Sequence, residues 1–398
     1  MSELSKKKKW ARRCLRVLVV IAILADFLAN DRPIVANYNG EIRWPVFRQY
    51  GEMLGLSKPY DDLPGRSWDD AETDFAIWPL VPYAADRPDL NTGRFKPPGS
   101  QPRSGTSGAT HWLGTDEVGR DVLAGLIRGV RVSLGIGLGS MLIALLLGVL
   151  IGAPAGYFAD DGLRKKRGHW VGAILGVLTG LAYCLACWLP YTTDWHILAR
   201  ILSSLLLVGA SGWLFRTILG LIPLPYFQQV SNVPVDFVVL RFIELITSIP
   251  GLVLLIAFLG IIDKPSAWWV ILLIGGLRWT GIARFLRAEL LRIRQLPYIE
   301  SARVLGFKDW YILRKHALPN AWGPVIVALS FGIGTAILLE AYLSFLGIGL
   351  PREAVSWGSL LRQARSMPSA WWIAIFPGLM IFVTVLACNV LGERESAV

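Results

Sequence analysis

The sequence predicts an all-α polytopic membrane protein. Its 398 residues are 54% hydrophobic with a mean hydropathy of +0.48, and apolar runs long enough to cross a bilayer recur along it. A spanning helix needs about 20 apolar residues for a hydrocarbon core of about 30 Å. In lipid, only helices and closed barrels satisfy all of their own backbone polar groups. Eight spans are expected, at 15–29, 132–157, 170–189, 197–222, 237–262, 268–290, 325–346 and 371–391.

The first expected segment, 1–30, joins a basic cytoplasmic start to a span. Its core is followed by Asn30-Asp31-Arg32-Pro33 rather than by a small-residue cleavage site, so it reads as an uncleaved anchor. Residues 31–120 are rich in Pro, Gly, Asp and Asn and read as a loop-rich extracytoplasmic cap. Residues 121–161 begin a membrane core, and 162–234 read as an inserted transmembrane hairpin joined by Pro190-Tyr191-Thr192-Thr193-Asp194. The core resumes over 235–391, with Pro250-Gly251 expected to kink the fifth span. Residues 392–398 read as a short cytoplasmic tail.

The formal charge of +11 is topological rather than a sign of nucleic-acid binding. Basic residues gather at Lys6–Lys9 with Arg12 and Arg13, at Arg164–Arg167, and between Arg292 and Lys315. With eight crossings all three segments fall on one side, which places both termini in the cytoplasm by the positive-inside rule. The four cysteines lie in or beside expected spans, and Cys184-x-x-Cys187 reads as two small residues of an apolar helix.

No Gly is followed by Lys anywhere, so the phosphate-cradling Gly-x4-Gly-Lys-Ser/Thr loop is absent from this sequence. His111, His169, His196 and His316 have no ligand-like spacing, and no nucleophile–base motif is present. These observations argue against a membrane enzyme.

Ionisable residues at membrane depth are costly and mark functional candidates. Arg241 and Glu244 stand three residues apart, the spacing of a structural pair on a helix. Arg278 lies deeper in its expected span than Arg284 and Arg287, which can snorkel to the edge. Arg278, Glu340 and Ser344 are the candidates for a pathway or gate.

The most informative segment is the basic loop 291–320 between two expected spans. Glu300, Ser301 and Ala302 are followed by Gly306, then by His316, Leu318 and Pro319. This reads as a short helix with Glu300 near its positive end, stopped by Gly306. A second amphipathic helix over 308–317 is expected to halt at Leu318-Pro319, where proline cannot continue the ladder. Two short helices joined by glycine make a knob suited to a partner's groove.

That spacing resembles the EAA loop of binding-protein-dependent ABC importers. Other stretches resemble the DppC/OppC branch of peptide and nickel permeases. They are His111–Val122, Val235-Asp236-Phe237 with Arg241, Glu244 and Pro250, His316 to Asn320, and Glu340 to Gly347. Asn30-Asp31-Arg32-Pro33-Ile34 with Tyr38-Asn39-Gly40 resembles the YejE-type oligopeptide subgroup. The resemblance covers about 290–320 residues. It departs at 162–234, which is longer than the family's connection, and at the end, where the family's Asp-Pro tail is missing.

The resemblance implies a type I ABC importer transmembrane domain in a bacterial inner membrane, forming half of a translocation path for peptides. It implies a heterodimer with a second, homologous permease, two ATPase subunits that bind ATP and Mg, and an extracytoplasmic substrate-binding protein. No cofactor is implied on this chain. Nickel or another small solute is the alternative substrate class within the branch. An ATP-independent secondary transporter and a scaffold subunit are the alternatives outside it.

Overall fold

The computed structural model describes residues 2–58, 60, 68, 74–89, 92–101, 109–188, 197–262, 265–351 and 354–393. In chain order the elements begin with α1 (Ser2–Ile23), α2 (Ala25–Leu28), β1 (Val35–Tyr38), β2 (Glu41–Arg43), α3 (Pro45–Met53) and β3 (Phe75–Ile77). Next come α4 (Val122–Phe158), β4 (Arg164–Lys166), α5 (Arg167–Tyr183), α6 (Ile197–Leu221), α7 (Pro225–Gln228) and β5 (Val230–Asn232). Then follow α8 (Val235–Thr247), α9 (Gly251–Ile261), α10 (Ala267–Ile293), α11 (Pro297–Val304), α12 (Asp309–Ile312) and α13 (Leu318–Asn320). The last are α14 (Trp322–Leu346), α15 (Trp357–Gln363) and α16 (Trp371–Gly392).

Among the described residues, six helices are long and apolar enough to cross a membrane, or seven if the broken pair α8–α9 counts as one span. The break falls at Pro250, which leads into α9 and has no N–H to extend α8. The first expected span, 15–29, is covered by the end of α1 and by α2. Its apolar stretch continues directly from Lys6–Lys9, Arg12 and Arg13 within α1, and the helix ends at Ile23. The expected connection 190–194 of the inserted hairpin and the expected tail beyond residue 393 lie outside the described residues.

The chain divides into two compact units. Unit 1 comprises residues 1–149, 246–285 and 322–398, and unit 2 comprises 150–245 and 286–321. The core of unit 1 joins α4, α14, α15 and α16 around Trp357, which is fully buried and donates from Nε1 to the Leu126 carbonyl at 3.2 Å. Fully burying so large an aromatic is worth about 1.5–3 kcal/mol in apolar transfer. Its one polar atom costs nothing here because it finds an acceptor.

The expected loop-rich cap carries a small three-stranded antiparallel sheet, ordered β2-β1-β3. Asn39 and Gly40, both at positive φ, make the two-residue turn that sets β1 against β2, with Tyr38 opposite Glu41. Trp68 packs edge-on against Tyr38 and Tyr60 beside this sheet.

In unit 2, α5 and α6 form an antiparallel hairpin closed at its base by a ribbon. Arg164 pairs with Asn232 and Lys166 with Val230. The basic segment Arg164–Arg167 is therefore partly strand. Gly168, Gly172, Gly176 and Gly180 lie on one buried stripe of α5. A Cβ at the first three would collide with the carbonyl oxygens of Leu219, Phe215 and Ser211 on α6. Small residues at four-residue spacing let helix backbones approach closely in lipid, where van der Waals contact replaces the hydrophobic drive.

Candidate functional site

The knob of unit 2 is built by α11 and α12. Glu300 lies in the first turn of α11, where its charge suits the helix dipole. The Ser301 hydroxyl donates to the Pro297 carbonyl at 2.9 Å, and Ala302 faces inward and is buried. Gly306 ends the helix in the left-handed conformation at φ +80°. Its N–H meets the Arg303 carbonyl at 2.9 Å, and the Phe307 N–H reaches Ala302 at 3.2 Å. These two bonds satisfy the last carbonyls of α11 in a Schellman arrangement, for which glycine pays least strain.

The second half of the loop corrects an expectation: the helix does not stop at Leu318-Pro319. After α12 the chain widens into a π-helical turn, Leu313–Ala317, and runs on into α13 with Pro319 in its first turn. Proline is tolerated there because an N–H in a first turn has no intrahelical partner. His316 and Leu318 are half-buried and Pro319 is exposed. The Asn320 side chain donates to the His316 carbonyl at 2.8 Å and closes the turn.

The outward surface of the knob is apolar. Val304 is 84% exposed and Leu305 74%, and Tyr298, Phe307, Trp310 and Tyr311 are exposed beside them. Arg303 stacks over the Tyr157 ring and lies 3.4 Å from Asp309, fixing the knob to the end of α4. Sequence reasoning assigned the turn residues but not this crown. The signal was present as the pairs Val304-Leu305 and Trp310-Tyr311 in an otherwise basic loop.

Elsewhere in unit 2, Arg241 and Glu244 pair at 2.6 Å on the exposed side of α8. A pairing that sequence reasoning missed joins Arg287 of α10 to both carboxylate oxygens of Asp236 on α8. Such a fork is the geometry guanidinium is suited to.

In unit 1, the candidates Arg278, Glu340 and Ser344 separate into two places. Glu340 is fully buried and accepts from the hydroxyls of Ser133 at 3.0 Å and Ser344 at 2.8 Å. That is a closed polar knot between α4 and α14. Arg278 instead lines a cavity of about 600 Å³ between α4, α10 and α14.

The motif at 111–122 is a capping device. The His111 ring is fully buried, with Nδ1 2.8 Å from Asp121 and Nε2 3.0 Å from Asp89, and it stacks on Tyr83. Asp121 in turn accepts from the Ala124 N–H at 2.7 Å and caps α4. Asp116 accepts from the N–H groups of Val118 and Arg120. Burial nevertheless pushes the Asp116 carboxyl above its ordinary range, against the pull of those two bonds. For His111, burial alone would lower the pKa. The hydrogen bonds and charges of Asp121 and Asp89 outweigh it and hold the imidazolium above its ordinary value.

Comparison with known proteins places these features. Residues 217–394 match the family described as binding-protein-dependent transport system inner membrane component. The glutathione transport system permease GsiD of Pectobacterium atrosepticum is 31% identical over 72% of this chain and 70% of its own length. The peptidoglycan transport system permease YejE of Agrobacterium fabrum is 27% identical over 98% of this chain and 91% of its own. The inner membrane ABC transporter permease YejE of Escherichia coli K12 is 25% identical over 98% and 92%. With more than two thirds of both chains aligned at 31% identity, this chain belongs to the family of inner membrane components of binding-protein-dependent transport systems.

Proposed function

We propose that this permease forms half of the translocation path of an ATP-driven importer for peptides delivered by an extracytoplasmic binding protein. The observation that carries the reading is the crown on the knob, where Val304 and Leu305 stand exposed at the end of α11. Exposed apolar clusters rimmed by charge mark interaction sites. Arg303, Lys308, Arg314 and Lys315 around it keep this loop in the cytoplasm, where an ATPase subunit can receive it. Both termini then lie on that same side.

In this reading two ATPase subunits bind ATP and Mg and close on hydrolysis-linked cycles. The knob at 291–320 follows that closure and rocks the helices between inward-open and outward-open states. Glu300, Ser301, Ala302, Gly306, His316, Leu318 and Pro319 transmit the movement. A second, homologous permease supplies the other half of the path. Peptides are supported as cargo by similarity over nearly the whole chain to a permease named for peptidoglycan transport, together with the closer similarity to one named for glutathione.

Gentle extraction of the chain from its native membrane, followed by mass spectrometry of what accompanies it, tests the assembly. Two ATPase subunits, a second permease and a binding protein are expected, with peptide on the binding protein. Recovery of the chain alone, where a control ABC importer stays whole, would favour an ATP-independent transporter instead.

A further inference from the structure

Arg278 sits near the middle of α10, about 17 Å along the helix axis from Ala267 at 1.5 Å per residue. It is half-buried, and its Nη2 donates to the Thr335 hydroxyl of α14 at 2.6 Å. Thr335 passes its own proton to the Phe331 and Gly332 carbonyls, so it serves Arg278 as a neutral acceptor. Among the described residues no carboxylate lies within ion-pair distance of this guanidinium. Of its five N–H donors, one meets an acceptor among the described residues.

Apart from Thr280, whose hydroxyl donates to the Leu277 carbonyl at 3.1 Å, the rest of the setting is apolar. Met141 of α4, Leu277, Ile282 and Phe285 of α10, and Val327 and Phe331 of α14 line the same cavity of about 600 Å³. A cation held at membrane depth without a counter-charge is costly and is retained where it has a task. A concave apolar site with one convergent charged group is the usual form of a small-ligand site. Arginine suits a planar carboxylate because two of its N–H groups can engage both oxygens.

We infer that Arg278 makes this cavity a carboxylate-binding subsite, which engages the acidic group of a passing ligand. The inference deepens the peptide reading and rests on it for its biological setting, because every unblocked linear peptide presents a terminal carboxylate. The cavity walls take the ligand's apolar portion while the free N–H groups of Arg278 take its charge.

The test is equilibrium binding to the intact purified importer with dansylglycine, a small fluorescent carboxylate, and with its primary amide. The wild type is expected to bind the acid at least about tenfold more tightly than the amide, the scale of one hydrogen-bonded charge. Arg278→Gln removes that preference and R278K keeps part of it, since lysine retains the cation but not the fork. A purely structural role through Thr335 would move stability without moving the acid-to-amide ratio. Equal affinity for acid and amide in the wild type, or an unchanged ratio in R278Q, would overturn the inference. ATP-driven uptake of trialanine by the same complex tests the peptide reading separately. A carboxylate preference in a complex that imports no peptide would sink that reading and leave the subsite standing.

Discussion

The Nδ1 of His111 lies 2.8 Å from Oδ2 of Asp121, whose other oxygen accepts the Ala124 N–H that begins α4. One carboxylate thus holds a buried imidazole and caps the longest helix of the chain. Asp89 grips the opposite nitrogen and accepts from the Thr92 hydroxyl, so the cap is tied to these two residues as well.

This arrangement makes the cap sensitive to pH. The folded-state pKa of His111 is raised above the unfolded value of about 6.5. Its stabilisation is therefore fully present below about pH 6.5 and fades as pH rises through the folded value. Thermal unfolding of the wild type and of His111→Asn, compared across pH, should show the wild type's advantage shrinking as pH increases. An advantage that grows with pH would contradict the assignment of a cationic His111.

The glycine stripe of α5 predicts a steep response to size. Gly176→Leu places a side chain against the Ser211 carbonyl and separates α5 from α6. Overpacking of this kind costs about 1–3 kcal/mol, and G176L should lower the unfolding temperature in detergent. An equally bulky substitution at Gly209, where a Cβ meets nothing within 4 Å, should cost far less. Equal losses at the two positions would refute close backbone contact as the reason for the stripe.

The fork between Arg287 and Asp236 predicts coupling. Asp236→Ala and Arg287→Ala each strand a partly buried charge, and the double variant should lose less than the sum of the two. A coupling energy of about 1–3 kcal/mol is expected from the unfolding midpoints of the four proteins. Additive losses would show that the two side chains act independently.

At Gly306 the expectation concerns transport rather than folding. The residue is exposed and left-handed, with nothing within 4 Å of a Cβ. A larger residue therefore costs only about 1–2 kcal/mol of backbone strain. Gly306→Trp should insert normally while its bulk beside Leu305 keeps the knob from seating. Peptide uptake in reconstituted vesicles should be abolished, and normal uptake would refute the docking role.

Much of this was legible in the sequence, because the membrane permits so few solutions. Long apolar runs named the helices, and Glu300 to Gly306 named the short helix and its stop. The apolar letters of 15–29 did not show that the helix begins earlier, where α1 reaches back through Lys6–Lys9. The continuation through Pro319 was missed because the rule that proline ends helices ignores a preceding π turn, which resets the ladder. The stripe at 168, 172, 176 and 180 was visible in the letters, yet it is too short a repeat to read as an internal duplication. Glu340 was grouped with Arg278 because both are charges at membrane depth. Only packing shows that Ser133, 207 positions away, has closed around one of them and that a cavity has opened beside the other.

The most direct measurement is photo-crosslinking from the crown of the knob in the assembled importer. With a benzophenone side chain at Leu305, irradiation should join this chain to an ATPase subunit. The same group at Leu206, equally exposed on the apolar hairpin, should not. An ATPase adduct at Leu305 alone is the predicted result. No adduct there, in a complex that retains its ATPase subunits, would contradict the claim that this knob is where the motor takes hold.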